Sequence, residues 1–338
     1  MVVHGPEAFD NGWVARITNS IGPVEIVVAG IMARTAAEES KIPVRFDCRI
    51  PSVIFNELSL SSSFLLNCAK SPQSGERFGC LVANRCHQSP LIQVECRSHE
   101  IIVWGEKTSI LADYLARKTG FPITRKIPTM QKKDTIRTIG GCIFGEPVFV
   151  NGIIIGYATA EEVILSVEDN TLKAVSGIDL KAHGIEKLLR SGLPVISEAW
   201  CKSGRIRSSP PGYCFRTAPK TGRIVIIDHA AVDLYTLLTP EVTGILAIGD
   251  DTTAVCGHIG FHLGIPVFGI TDGDRDDILI SAYAPGSVIV HVIDGSDDDT
   301  GRELASFVPQ DSVFWASWVG SMVQYLGERV IISLQVPE

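Results

Sequence analysis

The sequence predicts a multidomain α/β protein. A Rossmann-like α/β domain is expected over residues 1–120, a β-rich middle segment with a helix and a loop over 121–221, and a C-terminal parallel α/β domain over 222–338. Three observations lead to that reading. Continuous apolar runs closed by glycine, such as VEIVVAGIM (24–32) and GILAIG (244–249), have the composition of strands buried on both faces of a parallel sheet. They alternate with stretches of helical period, which is the order of βαβ units. Between them, GEPVFVNGIIIGYATAEEVILSV (145–167) alternates β-branched residues around Asn151-Gly152, a two-residue hairpin signal.

Taken in order, MVV (1–3) reads as a strand that ends in a Gly-Pro loop, and a helix is expected over 12–20. FLLNCAK (64–70) and LIQVE (91–95) repeat the buried-strand pattern, and EIIVW (100–104) is expected to form an edge hairpin. ILADYLARKTG (110–120) has 3.6-residue apolar spacing and a glycine stop, so a helix is expected over 109–119. The basic, poorly periodic stretch 125–137 reads as a linker, and 180–192 as a helix ending in glycine. Residues 205–221, rich in Pro, Gly and Arg, read as an exposed loop. From Gly222 the alternation resumes: RIVIIDHA, a helix to Leu238, GILAIGDD, the helix TAVCGHIGFHLG, and PVFGITDGD.

Hydrophobic residues make up 45% and charged residues 20% of the 338, an ordinary globular balance. A net charge of −8 argues against a general grip on nucleic acid, which needs clustered Lys and Arg. The longest uncharged apolar stretch, residues 312–327, fits a buried helix, because a membrane span needs about 20 apolar residues. With no basic-then-apolar leader at the start, a soluble cytoplasmic protein without a membrane partner is expected. The nine cysteines are an odd number without a CxxC pair, so they read as reduced thiols. Cys80, Cys86 and Cys96 could ligate zinc or a cluster, but their spacings match no standard pattern.

The chemistry concentrates in three acidic loops, each directly after an apolar run: ILAIGDDTT (245–253), VFGITDGDRDD (267–277) and VIVHVIDGSDDDTG (288–301). They hold ten aspartates. If the three strands are neighbours in a parallel sheet, these loops converge beyond its carboxyl edge, where open α/β sheets bind ligands. Convergent carboxylates repel one another unless a cation sits among them, and hard oxygen donors suit Mg²⁺ or Mn²⁺. One such loop alone is adequately read as a turn, since Asp and Gly are common turn residues. Three in register make a site the better reading, with Asp298 and Asp297 in the third loop as its catalytic and metal-binding candidates. Asp251, Thr252 and Thr253 stand where a helix begins and are candidates for seating phosphate.

The N-terminal domain has strand-end loops of its own. Lys70, Ser71, Ser74, Gly75 and Arg77 make a polar, glycine-bearing loop suited to an anion, and His4 and Arg34 occupy two further loops. Each also reads as an ordinary solvated loop. His229 ends a strand and is a candidate acid–base group, although a structural histidine is the commoner case. His183, Glu186 and Lys187 are explained by helix-surface charge spacing. GxxxxGK[ST], GxGxxG, GxSxG and HExxH are all absent.

From Ala247 to Gly301 the chain resembles the archaeal 6-hydroxymethylpterin diphosphokinases and the related thiamine pyrophosphokinases. That family shows a strand ending in Asp-Gly, a helix, a strand ending in TDLDGD, and GSIVVVHAHGDN. The corresponding pieces here are AIGDD (247–251), the helix to Leu263, GITDGDRDD (269–277) and APGSVIVHVIDGSDDD (284–299). The resemblance implies Mg²⁺–ATP on the acidic loops and metal contacts at Asp272 and Asp274, both also catalytic candidates. It departs in the third loop, where Ile293-Asp294-Gly295-Ser296-Asp297 replaces the family's His-Gly-Asp-Asn element.

Over nearly its full length the chain also resembles a family of uncharacterised archaeal proteins found mainly in methanogens. VVHGPE, AGIMARTA, NCAKSPQSGERFG, GEPVFVNGIIIG, KAHGIEKL, IGDDTT and GITDGD carry that likeness. Where the family has AGTMGRTA, this chain has Ile31 and Ala33.

The resulting expectation is an Mg²⁺- or Mn²⁺-dependent enzyme that handles nucleotide or phosphate, a pyrophosphokinase-like transferase with ATP as its candidate nucleotide. Its partner would be a small anionic molecule, and a homo-oligomer is compatible with the sequence. The alternative is a non-catalytic sensor or assembly factor that holds a metabolite between two α/β domains. A Toprim-like site is disfavoured, since the nearby strands end in Asp228 and Asp250 rather than glutamate.

Overall fold

The computed structural model describes residues 1–47, 49–59, 62–88, 90–129, 135–190, 192–212, 217–228, 231, 234–273 and 278–338. The chain is a mixed α/β protein, and its described residues form four sheets, several of their strands parallel. It divides into two compact units, Met1–Arg205 and Ile206–Glu338.

In the first unit a seven-stranded sheet has the order β3-β2-β1-β4-β5-β6-β7. Its strands are β1 (Val2–His4), β2 (Val27–Ala29), β3 (Arg45–Asp47), β4 (Leu65–Asn67), β5 (Leu91–Glu95), β6 (Glu100–Trp104) and β7 (Ile123–Lys126). Every pair is parallel except β5–β6. Consecutive residues of one strand feed opposite cores: Val3, Val28 and Leu66 pack on one face, Val2, Val27 and Leu65 on the other. Burial on both faces is why these strands read as continuous apolar runs.

The helices of this sheet are α1 (Glu7–Asp10), α2 (Trp13–Ile21), α3 (Ile31–Ser40), α4 (Pro51–Glu57), α5 (Pro72–Arg85) and α6 (Ile110–Thr119). Three expectations are corrected here. The β5–β6 hairpin is not at the edge, because β7 pairs in parallel with β6. The stretch read as a linker contributes Arg125 and Lys126 to β7 and begins a further strand at Ile136, while 130–134 lie outside the described residues. The glycine-bearing loop after β4 is short, because α5 starts at Pro72. Ser71 caps it in a reciprocal capping box with Ser74, and proline at the first helical position has the right φ already.

Two smaller sheets complete the first unit. One has the order β12-β11-β8, from β8 (Ile136–Gly140), β11 (Glu162–Glu168) and β12 (Thr171–Ser176). The other has the order β13-β10-β9-β14, from β9 (Pro147–Val150), β10 (Ile153–Ala158), β13 (Ile178–Leu180) and β14 (Cys201–Ser203). Asn151 and Gly152 turn the β9–β10 hairpin with φ of 50° and 87°, the paired positive values that a type I′ turn needs. Helix α7 (Ala182–Arg190) packs on β10.

In the second unit a six-stranded sheet has the order β19-β15-β16-β17-β18-β20. Its members are β15 (Thr221–Asp228), β16 (Val242–Ile248), β17 (Val267–Thr271), β18 (Val288–Val292), β19 (Val313–Phe314) and β20 (Val330–Gln335). Strands β15 to β18 run parallel and the two outer strands antiparallel. Helices α8 (Leu234–Leu237), α9 (Asp250–Leu263), α10 (Asp297–Ser306) and α11 (Trp315–Leu326) complete it.

One core joins the sheet to α10 and α11 through Ile248, Phe268, Val290, Leu304, Trp318 and Met322. Helix α9 packs on β16 and β17, and a Cβ at Gly269 would run into the Thr253 methyl, so sheet and helix meet without a spacer there. Helix α11 is two-faced rather than wholly buried: Trp315, Trp318 and Met322 are in the core, Tyr325 is exposed. Among the described residues no helix is long and apolar enough to cross a membrane.

The reading of 205–221 as an exposed loop fails at Arg207. That side chain is only 2% exposed, because Arg207 bridges to Leu279 and its guanidinium meets His258.

Candidate metal centre

Strands β16, β17 and β18 lie side by side, with Ile248 opposite Ile270 and Thr271 opposite His291. This register sets the residue two beyond Ile248 level with the residue two beyond Ile270, so Asp250 and Asp272 leave the sheet together. Asp297 arrives from the third loop as the first residue of α10. One carboxylate oxygen from each of Asp250, Asp272 and Asp297 lies within 4.8 Å of the others. Asp250 and Asp297 are almost wholly buried, with 8% and 1% exposure, and Asp272 is half-buried.

Backbone geometry fixes two of the three. Asp250 Oδ2 accepts the N–H of Asp272 at 2.9 Å and of Gly273 at 3.1 Å, tying the second loop to α9. Asp297 Oδ1 accepts the N–H of Asp298 at 2.8 Å. Asp272 Oδ1 is shut off from solvent and has no hydrogen-bond partner. Gly273, at φ 96°, lies so close to the His291 ring that a Cβ would stand 2.9 Å from its Cε1.

The electrostatics of this cluster nearly close. Helices α9 and α10 both start at it, with Asp250 and Asp297 as their first residues. A helix N-terminus carries roughly half a positive charge. Two termini therefore offset about one of the three negative charges, leaving about two for a divalent cation to neutralise. The donor type fits as well, since carboxylate oxygens suit hard cations. Three oxygens on one Mg²⁺ at about 2.1 Å stand roughly 3–3.6 Å apart, so from a separation of up to 4.8 Å the side chains would draw together by rotation onto the ion.

The structure thus brings together Asp272 and Asp297 of the anticipated metal ligands. Asp274 lies outside the described residues, as do Asp276, Asp277 and His229. Asp250, next to the expected Asp251, joins Asp272 and Asp297 as the third carboxylate of the cluster. The available signal was its place directly after the glycine that ends β16. Asp298 follows as the second residue of α10. Asp251 and Thr252 are in the first turn of α9, which has no side-chain cap. Thr253 turns its methyl onto Gly269, and its N–H closes the first helical turn on Gly249 O.

The candidates of the first unit are engaged by their own unit. The Lys70 ammonium pairs with Glu146 and donates to Ser203 Oγ at 2.8 Å. Ser71 is the α5 cap, and a Cβ at Gly75 would run into the Glu95 carboxylate. Arg34 lies within α3, with Nε 3.1 Å from Glu38 and its guanidinium over the Phe46 ring. His4 ends β1 and stacks on Phe78 at 4.3 Å between centroids. His183 Nδ1 stands 3.9 Å from Glu186, the helix-surface pair expected of it.

Among the described residues the acidic trio is the one group of three or more metal-type ligands, so Cys80, Cys86 and Cys96 do not gather. The described cysteines are all free thiols. Burial pushes Cys86 up to about 11.

The family model of an uncharacterized protein conserved in archaea (DUF2117) matches residues 1–312. The uncharacterized protein MJ0065 of Methanocaldococcus jannaschii is 34% identical over 333 residues, a match covering 90% of this chain and 89% of that protein. No solved structure matches the chain. The chain therefore belongs to this family of proteins conserved in archaea.

Proposed function

We propose that the second unit holds a divalent cation, Mg²⁺ or Mn²⁺, on Asp250, Asp272 and Asp297, and uses it to bind the phosphates of a nucleotide such as ATP. The observation that carries this reading is the convergence of three carboxylate oxygens, from the loops that follow three adjacent strands, within 4.8 Å. A cation there would leave open positions for phosphate oxygens and would neutralise charge that develops on them during transfer. The uncapped first turn of α9 offers N–H groups beside it, with Asp251 and Thr252 at hand.

The reaction class that fits is transfer of a phosphoryl or pyrophosphoryl group, in line with the likeness of residues 247–301 to pyrophosphokinases. Asp298 would assist from the start of α10, and Asp274 would add a further carboxylate from the second loop. In the same reading the first unit, with its reversal of strand order between β1 and β4, is Rossmann-like, and the second is a parallel α/β domain.

Isothermal titration with Mg²⁺–ATP and Mg²⁺–GTP, on the wild type and on Asp250→Asn/Asp272→Asn, tests the proposal. Binding that needs both the metal and the carboxylates supports it. Absence of binding by either nucleotide sinks the triphosphate reading.

A further inference from the structure

The connection that carries Asp272 meets the same helix at two points. At its start, Asp250 on α9 accepts two backbone N–H groups, as described. Near its middle, His258, two turns further along α9, lies with Nδ1 2.8 Å from Ile280 O and Nε2 3.0 Å from Arg207 NH1. The chemistry fixes the proton positions. A guanidinium only donates, so Nε2 must accept, and the imidazole is neutral with its proton on Nδ1, donated to Ile280 O. A protonated ring would set N–H against N–H.

Arg207 holds the same segment a second way: Ile206 N donates to Ile278 O at 2.7 Å, and Arg207 bridges to Leu279. Gly257 completes the contact, since a Cβ there would overlap the Tyr283 ring. Both His258 and Arg207 are almost wholly buried, so leaving either polar group unmatched would carry its full desolvation cost.

We infer that Arg207 and His258 are positioning residues for the metal centre: they fasten residues 278–280 of the β17–β18 connection to α9 and so keep Asp272 in reach of Asp250 and Asp297. Residues that orient metal ligands without touching the ion typically change metal affinity ten- to a hundred-fold when removed. The inference rests on the metal reading for its consequence and on the hydrogen bonds alone for the anchoring.

Arg207→Met and His258→Phe remove the side-chain half of the anchor while leaving the backbone bridge, and His258→Gln keeps a donor and an acceptor. In metal-free protein, hydrogen exchange of the 278–281 amides should quicken in the first two variants and stay near wild type in the third, with far-ultraviolet dichroism unchanged. The Mn²⁺ dissociation constant should rise about ten-fold or more in the first two and less in His258→Gln. Unchanged exchange in folded Arg207→Met overturns the anchoring. Quickened exchange with unchanged Mn²⁺ affinity overturns the positioning role. A wild type that binds no Mn²⁺ overturns the metal reading instead, and the exchange data still decide the anchor.

Discussion

Asp250 Oδ2 receives the backbone N–H of Asp272 at 2.9 Å, so one metal-site carboxylate shapes the loop that delivers another. Helix, loop and ligand are thereby coupled: the first residue of α9 both faces the proposed cation and sets the path of the chain beyond β17. The coupling also separates two roles experimentally. An amide oxygen at position 250 can still accept both N–H groups, whereas it cannot supply the negative charge a cation needs.

The three carboxylates should cost the metal-free protein stability, since two like charges about 5 Å apart repel by a few kcal/mol even at an effective dielectric of about 20. Asp297→Asn is expected to raise metal-free stability, by on the order of 1 kcal/mol once the helix termini are allowed for. The same variant should lose the stabilisation that added Mn²⁺ gives the wild type. Urea denaturation with and without Mn²⁺ measures both, and destabilisation of the metal-free variant would speak against a repulsive cluster.

Gly79 lies where α5 meets β5, and a Cβ there would overlap Gln93 Oε1 and stand 2.7 Å from Trp104 Nε1. Those two groups are hydrogen-bonded to each other at 2.9 Å in a buried pair that cannot swing aside. Gly79→Ala should therefore destabilise the first unit by about 1–3 kcal/mol, despite the better helix propensity of alanine. Thermal denaturation checks this, and a stability equal to or above wild type would contradict the close approach.

Glu95, fully buried at the end of β5, accepts the N–H of Ala69 at 3.0 Å and of Arg97 at 3.2 Å and the amides of Asn67 and Gln93. Burial nonetheless holds its carboxyl above the ordinary value of 4.5. An acid whose folded value is raised favours the folded state while protonated, so its contribution is full below 4.5 and is lost as pH rises through the folded value. Glu95→Gln removes that loss. The stability of wild type relative to Glu95→Gln should therefore fall between pH 4.5 and neutrality, as read by urea denaturation, and a pH-independent difference would contradict it.

His4 shows the opposite sense. Burial, then the nearby Lys202, lowers its imidazole from 6.5 to about 4. The folded state thus resists a proton that the unfolded chain accepts, and the stability it contributes above pH 6.5 is lost as pH falls toward 4. The imidazole proton signals of His4 should stay fixed from pH 8 to 5 in a nuclear magnetic resonance titration. Movement centred near 6.5 would show the ring to be solvated.

Much of the fold was legible because the apolar runs are long and closed by glycine. Residues 24–32 and 244–249 announced buried strands, and Asn151-Gly152 announced its hairpin. The acidic loops were legible for the same reason, each standing at the end of a strong strand signal. Helix α3 was missed behind Gly30 because its apolar moment is diluted by small residues (Ala33, Ala36, Ala37). Helix α5 reads as a loop in the sequence because Ser71, Ser74 and Gly75 look like turn residues, although the Ser-Pro start is the readable cap.

The burial of Arg207 had no local signal. It depends on a histidine 51 positions along and on a bridge to Leu279. The choice of Asp250 over Asp251 likewise depends on strand register, which only the paired sheet sets.

Mn²⁺ titration of the metal-free full chain, followed by electron paramagnetic resonance, tests the central claim most directly, with Asp250→Asn and Asp250→Ala alongside. The wild type should bind one tightly held ion per chain, and Asp250→Asn should lose it while keeping the exchange protection of the Asp272 and Gly273 amides. Asp250→Ala should lose both the ion and the protection. Mn²⁺ binding that survives in Asp250→Asn, or a wild type that binds none, would contradict the account.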